Sequence, residues 1–100
     1  MSVDIAFASN DLEECGRETA KAIRRWGAVV GDRYVQRLVL VAGAPDFDAL
    51  HTIRSLRLHK LTGNRKDVYA IVLQGRWRLL LSKVGERQVL VLEVSNHYGD

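Results

Sequence analysis

The chain has 100 residues, of which 47% are hydrophobic and 27% are charged, and this composition suits one globular domain spanning residues 1–100. No apolar run approaches the roughly 20 residues that a membrane-spanning helix needs, and the N-terminus shows no signal-peptide pattern. The single cysteine, Cys15, excludes an internal disulfide and a cysteine-based zinc cluster, so we expect a cytoplasmic protein without membrane association.

The positive charge is concentrated in the second half of the chain. The formal net charge is +3, but residues 1–50 carry six Lys or Arg against eight Asp or Glu, whereas residues 51–100 carry nine against four. Eleven of the fifteen cations are arginine, whose planar guanidinium fits phosphate. This polarity indicates a polyanionic partner, although a solvated basic surface explains the charge alone equally well.

The first 30 residues predict a strand and a helix. Residues 3–7 alternate apolar and polar side chains, which is typical of a short strand. Apolar residues then recur at spacings of three and four, and they predict a helix over residues 11–26. Asn10 is its expected cap, with Glu13 as the partner in a capping box, and Gly27 ends the helix.

A second helix is predicted to begin at the cap Gly31-Asp32 and to continue through residues 34–42. The β-branched run over residues 38–42 is compatible with a strand, but helical spacing is established before it begins. Gly43-Ala44-Pro45 ends the helix, and residues 46–50 predict one further helical turn.

The second half predicts four consecutive strands joined by short turns. They cover residues 53–61, 68–73, 76–84 and 88–96. In the third of them Trp77, Leu79 and Leu81 share one face, and Arg78 lies on the other. Short connections imply an antiparallel meander, with the preceding helices packed on one of its faces. The predicted fold is therefore α+β, in the order β-α-α-β-β-β-β.

Cationic side chains recur along these strands and in the loop between the first two. They are Arg57, His59, Lys60, Arg65, Lys66, Arg76 and Arg78. A sheet that carries cations while keeping an apolar face for its core is suited to an anionic ligand, and we interpret that ligand as RNA.

The order and spacing of four motifs resemble HigB-type toxins of the RelE/ParE superfamily. These motifs are Arg57-x-His59-x-Leu61-x-Gly63-x-Arg65, Tyr69-x-Ile71-x-Leu73, Trp77-Arg78-Leu79 and Val91-x-Glu93-Val94-x-x-His97-Tyr98. With the two preceding helices, the resemblance covers most of the chain. It implies a RelE/ParE-like fold and a toxin of a toxin–antitoxin module that cleaves mRNA on the translating ribosome. It also implies inhibition by a HigA-like antitoxin with a helix-turn-helix domain.

The last strand departs from the family pattern. HigB-like chains often end in an acidic residue followed by Tyr and His, whereas this chain has Asn96-His97-Tyr98. The aromatic ring and the imidazole are exchanged, and no acid stands beside them.

RNA cleavage without a metal or another cofactor needs a base, an acid, stabilisation of charge on the phosphate, and alignment of the substrate. Arg78 is the candidate for charge stabilisation, because guanidinium donors fit phosphorane oxygens. His97 and His59 are candidate acid and base, and Tyr98 is a candidate for base stacking or proton transfer. The remaining cations are candidates for RNA binding: Arg57, Lys60, Arg65, Lys66 and Arg76.

Two other functions fit the same fold. One is a ParE-like toxin that inhibits a topoisomerase without cutting RNA, and the other is a relative that binds nucleic acid or antitoxin without catalysis. The histidines and Tyr98 favour the nuclease, because an inhibitor that only binds protein needs no groups for proton transfer.

Overall fold

The computed structural model describes residues 2–62 and 67–96, and the helices and strands follow one another in the predicted general order. They are β1 (Asp4–Phe7), α1 (Asn10–Arg17), α2 (Thr19–Trp26), α3 (Ala28–Gly43), α4 (Phe47–Leu50), a 3-10 helix (Arg54–Leu56), β2 (His59–Lys60), β3 (Val68–Gln74), β4 (Trp77–Gly85) and β5 (Gln88–Ser95). No helix in these ranges is long and apolar enough to cross a membrane.

The strands form one mixed sheet in the described part of the chain, in the order β1-β5-β4-β3-β2. Strands β2 to β5 make the predicted antiparallel meander. The N-terminal strand β1 joins its far edge by pairing parallel to β5. The helices connect β1 at one edge of the sheet to β2 at the opposite edge. The meander then runs back across the sheet, so its last strand, β5, lies next to β1.

The core lies between the helices and one face of the sheet. Leu79 and Leu81 of β4 are fully buried there, with Trp77 packed at the margin, as their alternation predicts. From the helical side, Tyr34 is fully buried, and its hydroxyl donates a hydrogen bond of 2.8 Å to the carbonyl of Leu12. These contacts hold the helices on one face, so the predicted α+β layering is confirmed.

The helix predicted over residues 11–26 is two helices, and its predicted capping box is wrong. Glu18 is extended (φ −125°, ψ 105°) and separates α1 from α2. The apolar spacing does not reveal this break, because both helices bury the same side. The cap of α1 is Ser9, whose hydroxyl accepts the backbone N–H of Leu12 at 3.2 Å.

The predicted cap at Gly31-Asp32 is also wrong, because both residues lie inside α3. This helix begins at Ala28, directly after Gly27, whose φ of 93° makes the turn from α2. Gly31 has a different role. A Cβ there would lie 2.5 Å from the backbone nitrogen of Ile23 and 2.6 Å from the carbonyl of Ala22. The missing side chain thus lets α3 pack directly on α2.

The strand predicted over residues 53–61 is wrong for most of its length. Residues 54–56 form the 3-10 helix, and Arg57 has a left-handed backbone (φ 46°) that interrupts any extended run. The strand β2 is therefore only two residues long, and it pairs with Ala70 and Tyr69 of β3. The outer edge of β3 beyond Ala70 has no strand beside it in the described part of the chain.

Candidate nucleic-acid interface and active site

The face of the sheet that points away from the core carries two cross-strand rows. One row runs from β2 to β5 through His59, Ala70, Leu80 and Glu93. The adjacent row contains Val72, Arg78 and Ser95. Because side chains alternate along a strand, these residues lie on the opposite face from Leu79 and Leu81. The ladder thus brings His59 and Arg78, which are 19 positions apart in the sequence, onto one surface.

Arg78 is the best-fixed cation on this face. Its side chain is only 8% exposed. Its Nη1 donates hydrogen bonds to the carbonyls of Gly75 at 2.5 Å and Trp77 at 3.1 Å. Both carbonyls belong to the end of the β3–β4 hairpin, where the register shifts between Val72 and Gln74 and Gly75 takes a φ of 55°. The carbonyls of this turn therefore hold the guanidinium in a defined orientation. Stabilisation of a phosphorane requires such an oriented donor.

His59 lies two strands from Arg78, which corresponds to about 10 Å across the sheet. Its ring is half-buried, and Nδ1 is 3.2 Å from the carbonyl oxygen of Arg57. The ladder therefore places both residues on the same face of the sheet, two strands apart.

The other predicted RNA-binding residues divide by position. Arg57 and Arg76 are exposed, Arg57 directly before β2 and Arg76 in the β3–β4 turn. Lys60 is exposed as well, but its register opposite Tyr69 places it on the core side of the sheet, at the edge strand. Four predicted residues lie outside the described ranges: Arg65, Lys66, His97 and Tyr98.

Two polar residues of β5 on this face were not predicted from the sequence. Ser95 pairs with Arg78 and is 5% exposed, and Glu93 pairs with Leu80 in the row of His59. The pairing of β4 with β5 shifts its register between Leu80 and Leu81 of β4. This shift determines which side chains of β5 face away from the core. The sequence gives no signal for such a bulge, because one extra residue changes the face of every side chain that follows.

A cavity of about 340 Å³ lies beside β5 at the ends of α1 and α2. It is lined by Ser9, Asp11, Leu12, Arg25, Trp26, Leu92, Glu93 and Val94. Arg25 Nε pairs there with Asp11 Oδ2 at 3.0 Å. The cavity does not include Arg78 or His59. Residues 2–62 and 67–96 contain no cluster of three or more metal-ligating side chains.

Comparison with known proteins gives a likeness at the level of the fold. No protein-family model matches the chain, and no curated protein matches it. Among solved structures, a YoeB dimer from Staphylococcus aureus has a TM-score of 0.59 at 15% sequence identity, covering 98% of this chain and 100% of that one. A YoeB–YefM complex from the same organism has a TM-score of 0.56, also at 15% identity and with the same coverage. The likeness confirms the predicted α+β fold, with helices on one face of a mainly antiparallel sheet.

Proposed function

We propose that this protein is a toxin of a type II toxin–antitoxin module and that it cleaves mRNA. The observation that carries the proposal is the position of Arg78, a nearly buried guanidinium fixed on the sheet face that also presents His59. Burial and the two carbonyl bonds hold this cation in one orientation, which suits a group that must stabilise developing negative charge. The motif order resembles the HigB type within the superfamily, and we adopt that type for this chain.

The reaction is attack of an RNA 2′-hydroxyl on the adjacent phosphorus. A base takes the proton of the 2′-hydroxyl, the new P–O bond forms, and the bond from phosphorus to the 5′-oxygen breaks. An acid gives a proton to the leaving oxygen, which leaves a 2′,3′-cyclic phosphate and a 5′-hydroxyl. Arg78 stabilises the extra negative charge on the phosphorane through its guanidinium group.

We assign the two proton-transfer roles to His59 and His97. An imidazole ring can both accept and donate a proton, so either residue is a candidate for the acid or the base. His97 follows Ser95 by two positions, and Ser95 is the residue paired with Arg78. Tyr98 is proposed to stack on an unpaired base of the substrate. Arg57, Lys60, Arg65, Lys66 and Arg76 would bind the RNA backbone.

The proposed partners are mRNA on the ribosome and a cognate antitoxin. One of the similar structures is a complex of YoeB with YefM, which supports a dedicated protein partner for this chain too. The motif resemblance favours a HigA-like antitoxin with a helix-turn-helix domain. We place the reaction in the cytoplasm, where translating ribosomes are found.

Induced expression tests the proposal. The wild type, Arg78→Ala and His97→Ala are expressed in separate cultures while growth and the 5′ ends of cellular mRNA are followed. We expect the wild type to stop growth and to generate new 5′ ends, and both variants to do neither. Equal toxicity of all three proteins would refute these assignments. Growth arrest with intact transcripts and disturbed supercoiling would instead establish the topoisomerase inhibitor.

A further inference from the structure

Arginine side chains from three elements converge at the end of the β3–β4 hairpin, here defined as residues 72–77. From α3, Arg33 Nη1 donates to the carbonyl of Leu73 at 2.9 Å, and Arg37 Nε contacts the carbonyl of Val72 at 3.4 Å. From β4, Arg78 donates to two carbonyls of the same segment. The segment itself contributes the exposed Arg76. Three guanidinium groups thus contact carbonyls of a six-residue segment that itself carries a fourth arginine.

The two arginines of α3 have no acidic partner in the described ranges. Arg37 contacts the Val72 carbonyl and, at 2.6 Å, the side-chain oxygen of Gln36, both of which are uncharged. Three of the four cations of α1 and α2 behave differently, because Arg17, Lys21 and Arg25 each pair with a carboxylate. Most cations of these two helices are therefore neutralised, whereas Arg33 and Arg37 form a pair without a counter-ion in the described ranges.

This pair of arginines destabilises the protein when no ligand is bound. Arg37 is 9% exposed, and burial together with the nearby charge of Arg33 lowers the pKa of its guanidinium. The two residues are one helical turn apart, a spacing at which like charges repel each other. A nearly buried cation without a counter-ion destabilises a fold unless an anion from outside completes the site.

We infer that Arg33 and Arg37, together with Arg76, bind a phosphodiester of the RNA and extend its path from Arg78 around the edge of the sheet. The inference rests on the proposed function, because it takes RNA as the ligand of the sheet. It adds a phosphate site on α3, an element for which the sequence predicted no functional residue.

The pairing of β3 with β4 connects the position of Arg78 to that of Arg37. Val72 is the strand neighbour of Arg78, and its carbonyl is the group that Arg37 contacts. The path from Arg78 to Arg37 therefore crosses one strand, a distance of about 5 Å between neighbouring chains. β2 pairs only as far as Ala70, so no strand of the described chain blocks the route past Val72.

A phosphate fits this site better than a carboxylate of an acidic protein segment. The pair presents planar guanidinium groups, whose N–H donors fit the two non-bridging oxygens of a phosphodiester. The site also continues the row that holds the candidate catalytic arginine. Beside Arg78, Val72 of the same row and Leu80 of the adjacent row are apolar and offer no partner to the further carboxylates of an acidic peptide.

The test measures binding of a 2′-O-methyl RNA of about 12 nucleotides, within the usual site size of a single-strand binder. This RNA lacks the attacking hydroxyl, so it reports binding without cleavage. Fluorescence anisotropy is recorded at several salt concentrations for the wild type, Arg33→Gln, Arg37→Gln and the double variant. The matched control is Arg24→Gln, an exposed arginine of α2. Thermal unfolding shows which variants are folded. Arg33 is exposed, so its substitution keeps the test valid even if Arg37→Gln unfolds.

We expect Arg33→Gln to weaken binding about threefold to tenfold and to reduce the slope of log K against log salt by about 0.7, the value for one phosphate contact on a single strand. The control should leave both quantities unchanged. An unchanged slope in Arg33→Gln would overturn the inference. So would an oligoglutamate peptide that binds in an Arg33-dependent way while RNA binding is unaffected.

Parallel cleavage of ordinary RNA separates this inference from the proposed function. If the wild type fails to cleave but Arg33→Gln shows the reduced slope, the phosphate site stands and the catalytic proposal fails. If the wild type cleaves and Arg33→Gln binds like the wild type, the catalytic proposal stands and the phosphate site fails.

Discussion

Arg78 and Ser95 face each other across the ladder between β4 and β5, and both are nearly buried, at 8% and 5% exposed. An arginine this deeply placed on the outer side of a sheet is oriented by its surroundings before any ligand arrives. Its bonds to Gly75 and Trp77 hold Nη1 in place, and His97 follows Ser95 by two positions in the sequence. The register thus connects the fixed cation to the segment that holds the candidate acid or base.

Replacing Arg78 should slow cleavage strongly, even when the new residue keeps the positive charge. We expect Arg78→Lys and Arg78→Ala to reduce the cleavage rate by about 10²-fold or more, the usual cost of removing a transition-state donor. Lysine keeps the charge but has no planar fork to reproduce the two carbonyl bonds. The control is Arg87→Ala in the β4–β5 turn, an exposed arginine that should leave the rate unchanged. A rate for Arg78→Lys close to that of the wild type would show that orientation is unimportant.

Gly31→Ala should destabilise the protein strongly. The added Cβ would lie 2.5–2.6 Å from the backbone of Ala22 and Ile23, so α2 and α3 must separate. We expect a loss of about 3 kcal/mol in the free energy of unfolding by urea denaturation. Gly43→Ala is the matched control, since a Cβ there meets nothing within 4 Å and alanine favours the helix. Equal stabilities of the two variants would contradict the close packing of α2 on α3.

The cap of α1 can be assigned by two neighbouring substitutions. Ser9→Ala removes the hydroxyl that accepts the Leu12 N–H and should cost about 1 kcal/mol. Asn10→Ala should cost much less, because Asn10 is the first residue of the helix and alanine has the higher helix propensity. Thermal or urea unfolding of both variants measures the difference. A larger loss in Asn10→Ala would support the cap predicted from the sequence.

Stability should fall at alkaline pH partly because of Tyr34. Burial raises the pKa of this phenol above its ordinary value of 10.0, while its hydroxyl donates to the Leu12 carbonyl. Above that pH the unfolded state loses the proton first, so the free energy of unfolding decreases by up to about 1.4 kcal/mol per pH unit. Below it both states are protonated and the contribution is complete.

Urea unfolding of the wild type and Tyr34→Phe between pH 7 and 11 measures this effect. Burial also raises the pKa of Cys15, so both proteins should carry Cys15→Ala. We expect Tyr34→Phe to lose about 1 kcal/mol at neutral pH and to show a shallower alkaline decline. Parallel curves for the two proteins would mean that Tyr34 does not titrate differently in the folded state.

Strands with a regular alternation could be predicted from the sequence, and those with a local break could not. Leu79 and Leu81 fix the inner face of β4 because nothing interrupts their period of two. Leu56 and Leu58 show the same spacing, yet the left-handed Arg57 lies between them and the residues before it form a 3-10 helix. Backbone conformation at a single non-glycine residue leaves no mark on hydrophobic spacing.

The part of the candidate site that lies on a single strand could be predicted from the sequence. Arg78 follows from the motif and from its place opposite the inner face of β4. Arg33 and Arg37 were missed because they contact carbonyls 40 and 35 positions away in the sequence. Contacts from a side chain to a distant backbone group depend on tertiary packing, and neither charge pattern nor helical period predicts them.

The chemical nature of the RNA ends tests the central claim most directly. Purified wild-type protein is incubated with mRNA and translating ribosomes long enough for cleavage, and the product termini are then identified. Attack by the 2′-hydroxyl predicts 2′,3′-cyclic phosphate and 5′-hydroxyl ends, produced by the wild type and lost in Arg78→Ala. Products with 5′-phosphate and 3′-hydroxyl ends, or RNA left intact by the folded wild type, would contradict the account.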